Sequence, residues 1–283
     1  MNLIKYTSIA AIFVSTSLII AKILTYHFSH SIAILSSLVD SSLDLLTSLI
    51  NCVAIFYAAK PKDEDHKFGH SAIEDIASFI QAMIIFISGI LIIYQASMNI
   101  VNHKVITFEK VSMYTMLLSL FMTICLVLLQ KYTISKTKSL VISADCLHYK
   151  TDVLMNIGII ASLFILKFTH FYAIDSIVAI CIAVYIIYSA FELGKSAFNN
   201  LMGREISRQE QDEIIAIIQA ENRIKGFHDF KTRRSGQMSF IQIHIEMKGD
   251  LTLFTAHEIC EEIEQKITEK IPNCEIIIHK DPC

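Results

Sequence analysis

Long apolar runs separated by short polar joints fill the first 200 residues of this chain. Each run is long enough to cross about 30 Å of hydrocarbon as a helix. The last 80 residues instead mix apolar and charged positions as a soluble α+β domain does. The pattern therefore predicts an α-helical membrane protein, with a six-helix transmembrane bundle over 1–203 and an α+β domain over 204–283. The expected spans are roughly 6–28, 32–58, 72–99, 112–131, 138–167 and 172–196.

Composition supports a membrane protein. Hydrophobic residues make up 53% of the chain and charged residues 18%, against about 25% charged in soluble domains. The net charge of -3 comes with no basic stripe carrying interleaved aromatics, so no nucleic-acid partner is indicated. The seven cysteines include no C-x-x-C pair, which favours free thiols and a reducing compartment for the tail.

The distribution of basic residues predicts the orientation in the membrane. Six spans put both termini on one side of the bilayer, and cytoplasmic segments are enriched in lysine and arginine. If the termini are cytoplasmic, ten basic residues lie inside and four outside, so we expect an inner-membrane protein with both termini in the cytoplasm. The inner group is Lys5, Lys60, Lys62, Lys67, Lys131, Lys136, Lys138, Lys195, Arg204 and Arg208, and the outer group is Lys22, Lys104, Lys110 and Lys167.

Two pairs of ionisable residues interrupt the second and fifth runs. Asp40 with Asp44, and His148 with Asp152, are each spaced i, i+4, so each pair shares one face of its helix. An ionisable group near the membrane centre costs between about 2.5 and 10 kcal/mol, so four at similar depth indicate an ion route. Three carboxylates and one imidazole suit a divalent cation. The alternative is a buried network in which these groups only satisfy one another.

A second candidate site lies in the joint between runs two and three. Asp63, His66 and His70 are spaced so that a short turn leading into the next helix could bring them together. Polar loops often contain histidines, so an ordinary solvated loop is the alternative interpretation.

The tail pattern reads helix, strand, strand, helix, strand. Expected elements are a helix over 209–220, an alternating strand over 240–247, a helix over 252–271 and a strand over 274–279. This order favours an open α–β sandwich of the ferredoxin or metallochaperone kind. A third candidate metal set lies on polar faces or at element ends: His228, His244, His257, His279 and Asp281. The alternative interpretation is that these histidines are ordinary exposed surface residues.

Taken together, these motifs resemble the cation diffusion facilitator family, most closely its bacterial zinc and ferrous-iron efflux branch. The resemblance rests on S-S-L-V-D-S-S-L-D (36–44), D-E-D-H-K-F-G-H (63–70), A-D-C-L-H-Y-K-T-D (144–152), F-I-Q-I-H (240–244) and I-I-H-K-D-P-C (277–283). It extends through nearly the whole chain. One departure is Ser71-Ala72-Ile73, where family members often carry a basic residue that helps to lock the dimer near the membrane.

The resemblance implies a Y-shaped homodimer that exports a divalent metal in exchange for protons. Asp40, Asp44, His148 and Asp152 would form the transport site, and the 63–70 loop a site near the membrane surface. The third set, His228, His244, His257, His279 and Asp281, would form a two-metal site at the cytoplasmic dimer interface.

Zn²⁺ suits such ligands best, while Cd²⁺, Fe²⁺ and Mn²⁺ remain open as cargo. The chain has no phosphate-binding loop that would indicate ATP use, and a full four-ligand site leaves no position for a reacting water, so an enzyme is not expected. Two further classes stay open: a passive divalent-cation channel, and a membrane-anchored metal sensor that works through its tail.

Overall fold

The computed structural model describes residues 2–29, 32–101, 110–169 and 174–283. Lys104 and the start of the sixth expected span, 172–173, lie outside these residues. Six long helices come first: α1 Asn2–Ser29, α2 Ile32–Ala58, α3 Ala72–Val101, α4 Lys110–Thr137, α5 Leu140–Thr169 and α6 Ile174–Leu201. By contacts the chain divides into two compact units, Met1–Phe198 and Asn199–Cys283.

Within the described residues, five helices are long and apolar enough to cross a membrane: α1, α2, α3, α4 and α6. The fifth helix, α5, is comparably long but carries Asp145, Lys150 and Asp152. The fourth helix continues to Thr137, beyond the expected end at 131. Gln130 and Thr133 are both fully buried, so the polar residues that ended the apolar run face the bundle interior.

Packing in the first unit centres on α5. This helix contacts α4, α3, α2 and α1, while α1 also packs along α2 and α4. Buried Ile4, Ile55 and Ile142 form one apolar cluster. Large apolar side chains such as Phe13 and Phe121 point outward, which a bilayer would stabilise and water would not.

The second unit is a three-stranded sheet with two helices. Strands β1 Ile224–Ser235, β2 Met238–Met247 and β3 Cys274–Pro282 lie in the order β1-β2-β3. The first pair is antiparallel and the second is parallel. A parallel pair needs a crossover connection, which α8 Leu253–Lys270 supplies. The preceding helix, α7 Arg208–Gln219, begins at a capping box.

Alternation along β2 sets the two faces of this sheet. Ile241, Ile243 and Ile245 are buried with isoleucines of α7 and α8, whereas Gln242 and His244 face away from that core. The expected open α–β sandwich is confirmed, and its uncovered face carries the polar residues.

Ile243→Ala should destabilise this tail by about 2–5 kcal/mol, because the side chain is fully buried and its loss leaves a cavity. Pulse proteolysis of the full chain in urea, following loss of 199–283, measures the change. Ile277→Ala is the matched control, since Ile277 is 55% exposed. Equal shifts for both variants would contradict the assigned core.

Candidate metal centres

The first candidate centre joins the middles of α2 and α5. His148 Nε2 lies 2.9 Å from Asp44 Oδ1. With Asp152, one turn further along α5, they offer three ligand atoms within 4.8 Å of one another. All three residues are partly buried. Asp40 is exposed and outside this group, so the structure brings together three of the four expected residues.

A buried lysine on α1 is an unexpected neighbour of this centre. Lys22 Nζ donates to Ser41 Oγ at 2.6 Å and to Ser37 O at 3.0 Å, both on α2. Ser41 lies directly after Asp40 and three residues before Asp44, so the ammonium reaches the stretch of α2 that carries both aspartates. The orientation count placed Lys22 among the outer residues, but the structure places it inside the bundle. The sequence feature that could have indicated this burial is the position of Lys22 in the middle of an apolar run, I-I-A-K-I-L.

A tyrosine hydroxyl connects three helices beside the Asp44–His148 contact. Tyr149 Oη lies 2.8 Å from Ser48 Oγ of α2 and 2.6 Å from Ser15 Oγ of α1. Tyr149 itself is almost fully buried. Because no water is expected in such an interior, these bonds restrict how α1, α2 and α5 can slide past one another.

A second buried carboxylate lies one turn before His148. Asp145 Oδ1 accepts from Asn51 Nδ2 at 3.0 Å, and Asp145 Oδ2 accepts from Gln130 Nε2 at 2.7 Å. Asn51 Nδ2 also donates to Gln81 Oε1 at 2.8 Å. These four buried side chains come from α2, α3, α4 and α5. Sequence reasoning missed this network, although Asn51, Gln81 and Gln130 each interrupt an apolar run.

The loop between α2 and α3 forms a second candidate centre. Asp63 Oδ1 accepts from the His66 backbone N–H at 2.7 Å, and Asp63 Oδ2 lies 3.2 Å from His70 Nε2. Ligand atoms of Asp63, His66 and His70 lie within 4.8 Å of one another, as the spacing predicted. Gly69 permits the turn by adopting φ +83°.

The three residues of this loop differ in exposure, and their carboxylate ionises readily. Asp63 and His66 are exposed, whereas His70 is buried against the ring of Tyr57. The backbone hydrogen bond from His66 is the main cause that lowers the pKa of Asp63. The carboxylate is therefore ionised, and able to bind a cation, at more acidic pH than a free aspartate.

Three histidines form a row across the uncovered face of the tail sheet. His228 pairs with His244 between β1 and β2, and His244 pairs with His279 between β2 and β3. Ring centroids are 5.0 Å and 4.5 Å apart along the row. Asp281 connects them: Oδ2 lies 3.0 Å from His244 Nδ1 and 3.3 Å from His228 Nε2, while Oδ1 lies 3.2 Å from His279 Nε2. A carboxylate in this position can bridge two metal ions.

His257 is separate from the histidine row. It lies on α8, with Nε2 3.2 Å from Glu261 Oε1 and Nδ1 3.3 Å from Lys280 Nζ. The structure of one chain therefore brings together four of the five expected tail residues.

Two acidic residues lie beside the row that sequence reasoning did not select. Glu246 Oε1 is 3.0 Å from His228 Nδ1, and Asp229 Oδ2 is 3.8 Å from His244 Nε2. A hydrogen bond from Lys231 lowers the pKa of Asp229. The i, i+2 spacing of His244 and Glu246 indicates that both side chains lie on the same face of β2. The position of Asp229 beside the row depends instead on its left-handed backbone, at φ +48°.

Comparison with known proteins assigns the class. Residues 8–202 match the cation efflux transmembrane domain, and residues 206–283 match the cytoplasmic domain of cation efflux proteins. The chain is thus a transporter rather than an enzyme. It belongs to the cation efflux, or cation diffusion facilitator, family, which confirms the resemblance.

Individual relatives match along nearly their whole length. A cation-efflux pump, FieF, of Klebsiella pneumoniae is 36% identical over 281 residues, covering 99% of this chain and 93% of the pump. Protein p34 of Rickettsia prowazekii is 39% identical over 284 residues, with the same two coverages. Among solved structures, the metal-bound C-terminal domain of the CzcD transporter from Thermotoga maritima is 26% identical, covers 27% of this chain and 94% of that domain, and has a TM-score of 0.26.

Tyr149→Phe should destabilise the bundle by about 1–3 kcal/mol, because it leaves the buried hydroxyls of Ser15 and Ser48 without their shared partner. The midpoint of thermal unfolding in detergent, followed with a thiol-reactive dye, measures the effect. Tyr188→Phe is the control, since Tyr188 is 66% exposed. An unchanged midpoint for Tyr149→Phe would show that these bonds do not hold the helices.

Proposed function

We propose that this cation efflux transporter exports Zn²⁺ from the cytoplasm across the inner membrane in exchange for protons. The observation that carries the proposal is the Asp44–His148–Asp152 group, formed where two helices meet inside the bundle. Ionisable side chains in such a position are costly unless an ion or a proton uses them.

The donor set supports zinc as the preferred cargo. Two carboxylates and one imidazole already converge, and Asp40, one turn before Asp44 on α2, supplies a fourth ligand after a local adjustment. Four oxygen and nitrogen ligands match the tetrahedral preference of Zn²⁺. Intrinsic affinity places zinc above Fe²⁺ and Mn²⁺ at such a site, and Cd²⁺ is expected to follow zinc.

The contact between Asp44 and His148 supports proton exchange. At 2.9 Å, Asp44 Oδ1 and His148 Nε2 are joined by a hydrogen bond, so a proton lies between them. A metal ion that binds both atoms must replace that proton. Metal loading on the cytoplasmic side would therefore release protons, and reprotonation from a more acidic exterior would expel the metal during alternating access.

The loop and the tail would hold further metal ions with other roles. Asp63, His66 and His70 form an exposed cluster suited to fast exchange. The histidine row with Asp281 suits two ions at the cytoplasmic interface of a homodimer. Since His257 lies apart from the row within one chain, we propose that it reaches the row of the partner subunit.

Asp44→Ala should abolish transport, because it removes a metal ligand and the acceptor of the His148 proton. Full-length protein in liposomes with an imposed pH gradient is offered Zn²⁺, Cd²⁺, Mn²⁺ and, under reducing anaerobic conditions, Fe²⁺. Uptake and proton release are followed together, with Asp212→Ala as a surface control. We expect zinc flux to vanish only in the Asp44 variant.

Each contrary outcome points to another class of protein. Wild-type flux that persists after collapse of the pH gradient would favour a passive channel. Flux unaffected by Asp44→Ala, or absent for every metal while the tail binds zinc, would contradict the transport site and favour a sensor.

His244→Ala and His257→Ala should each reduce metal-dependent dimerisation, since each removes one side of the proposed shared site. Co-expressing the two variants restores one complete site per mixed dimer, so metal-induced dimerisation should recover to about half. Analytical ultracentrifugation of the purified full chain, with and without zinc, measures it. A mixed sample no better than either variant would contradict a ligand from the partner subunit.

A further inference from the structure

Lys22 has no part in the exchange described above, yet its charge is buried beside the metal ligands. The side chain is 9% exposed and extends from α1 to α2. Its two acceptors, Ser37 O and Ser41 Oγ, carry no formal charge. An apolar residue would pack between these helices at lower cost, because burying an ammonium requires compensation. The carboxylates placed to compensate it are those of Asp40 and Asp44, which flank Ser41 on α2, and that of Asp152, which converges with Asp44.

We propose that Lys22 is an internal counter-cation that sets the charge balance of the transport centre and thereby limits how tightly it holds a divalent ion. This inference rests on the proposed function. Asp40, Asp44 and Asp152 contribute three negative charges, and Lys22 with one divalent ion contributes three positive charges. These groups and the ion are therefore neutral as a set when His148 binds as neutral imidazole. Asp145, one turn before His148, is outside this set, since its two oxygens accept from Asn51 and Gln130.

Neutrality matters because the centre lies in a medium of low dielectric constant. Without Lys22, the loaded centre would have a net charge of one negative unit. The empty centre would be one unit more negative than it is with Lys22. Attraction for the cation would increase, since the interaction between two charges at a given distance is stronger in a medium of low dielectric constant. A tighter site loads readily but releases slowly, so Lys22 favours turnover over affinity.

The hydrogen bonds of Lys22 fix where this charge lies. Ser41 follows Asp40 directly, and Ser37 lies one turn before it, so α2 carries both the acids and the acceptors that hold the ammonium. The ammonium is thus tethered near the ligands without ligating the metal. Lys22 therefore acts on the affinity of the centre through its charge and is not itself a ligand.

The test compares Lys22→Gln, which keeps an N–H donor without the charge, with Lys22→Arg, which keeps the charge. Both are made in full-length protein carrying Asp63→Ala and His244→Ala, so that the remaining zinc binding reports on the α2–α5 centre. Equilibrium zinc binding in detergent and zinc flux in liposomes are measured for each. Lys5→Gln, on the same helix, is the control.

We expect Lys22→Gln to bind zinc at least tenfold more tightly and to turn over at least tenfold more slowly, with a lower KM. Lys22→Arg should stay within about threefold of the background protein. A structural role alone would weaken binding and flux together. Weaker or unchanged zinc binding in Lys22→Gln would overturn the proposal, and Lys22→Met provides the same comparison if the glutamine variant does not fold.

Asp44→Ala in the same background separates this inference from the proposed function. If Asp44→Ala abolishes zinc binding while Lys22→Gln changes nothing, the result supports the proposed transport site and contradicts the proposed role of Lys22. If Asp44→Ala leaves binding intact, the transport site itself is wrong.

Discussion

The need to pair buried carboxyl, hydroxyl and amide groups inside an apolar bundle governs the contact between α2 and α5. Asp44, Ser48 and Asn51 lie at i, i+4 and i+7, along one face of α2. Their partners on α5 are His148, Tyr149 and Asp145. Sliding either helix by one residue would break all three contacts in a medium that offers no replacement partners. The depth and register of the candidate metal ligands therefore follow from hydrogen bonding, while the outer faces need only be apolar.

Sequence spacing selected the candidate ligands on α2 and α5 and predicted that the two pairs would meet, and the structure brings three of the four residues together. An i, i+4 pair shares a helix face, yet its members are offset along the axis by about 6 Å. That offset places Asp44 within reach of His148 and leaves Asp40 outside the group. Lys22 and Asp145 were missed because their importance depends on which neighbouring helix faces them, and a single sequence does not encode that directly.

The tail shows the same limit in a different form. Alternation in β2 correctly separated the buried isoleucines from His244. A row of three histidines, however, requires the strand order β1-β2-β3 and the registers that pair His228 with His244 and His244 with His279. Strand pairing over such long separations is a tertiary property. The separation of His257 from this row is likewise visible only once α8 is placed.

The three candidate centres differ in ways that assign them different affinities. Asp63 and His66 are half exposed, so water competes for the ion and the loop should hold it weakly. The tail offers three imidazoles around one carboxylate, a set that favours tight binding of zinc-like ions. The α2–α5 centre has more carboxylate than imidazole groups, and the ammonium of Lys22 is bonded to Ser41 on the same helix as Asp44. We expect its affinity to lie between the other two, since the proposed transport site must both capture and release its cargo, whereas the proposed site at a dimer interface gains only from retention.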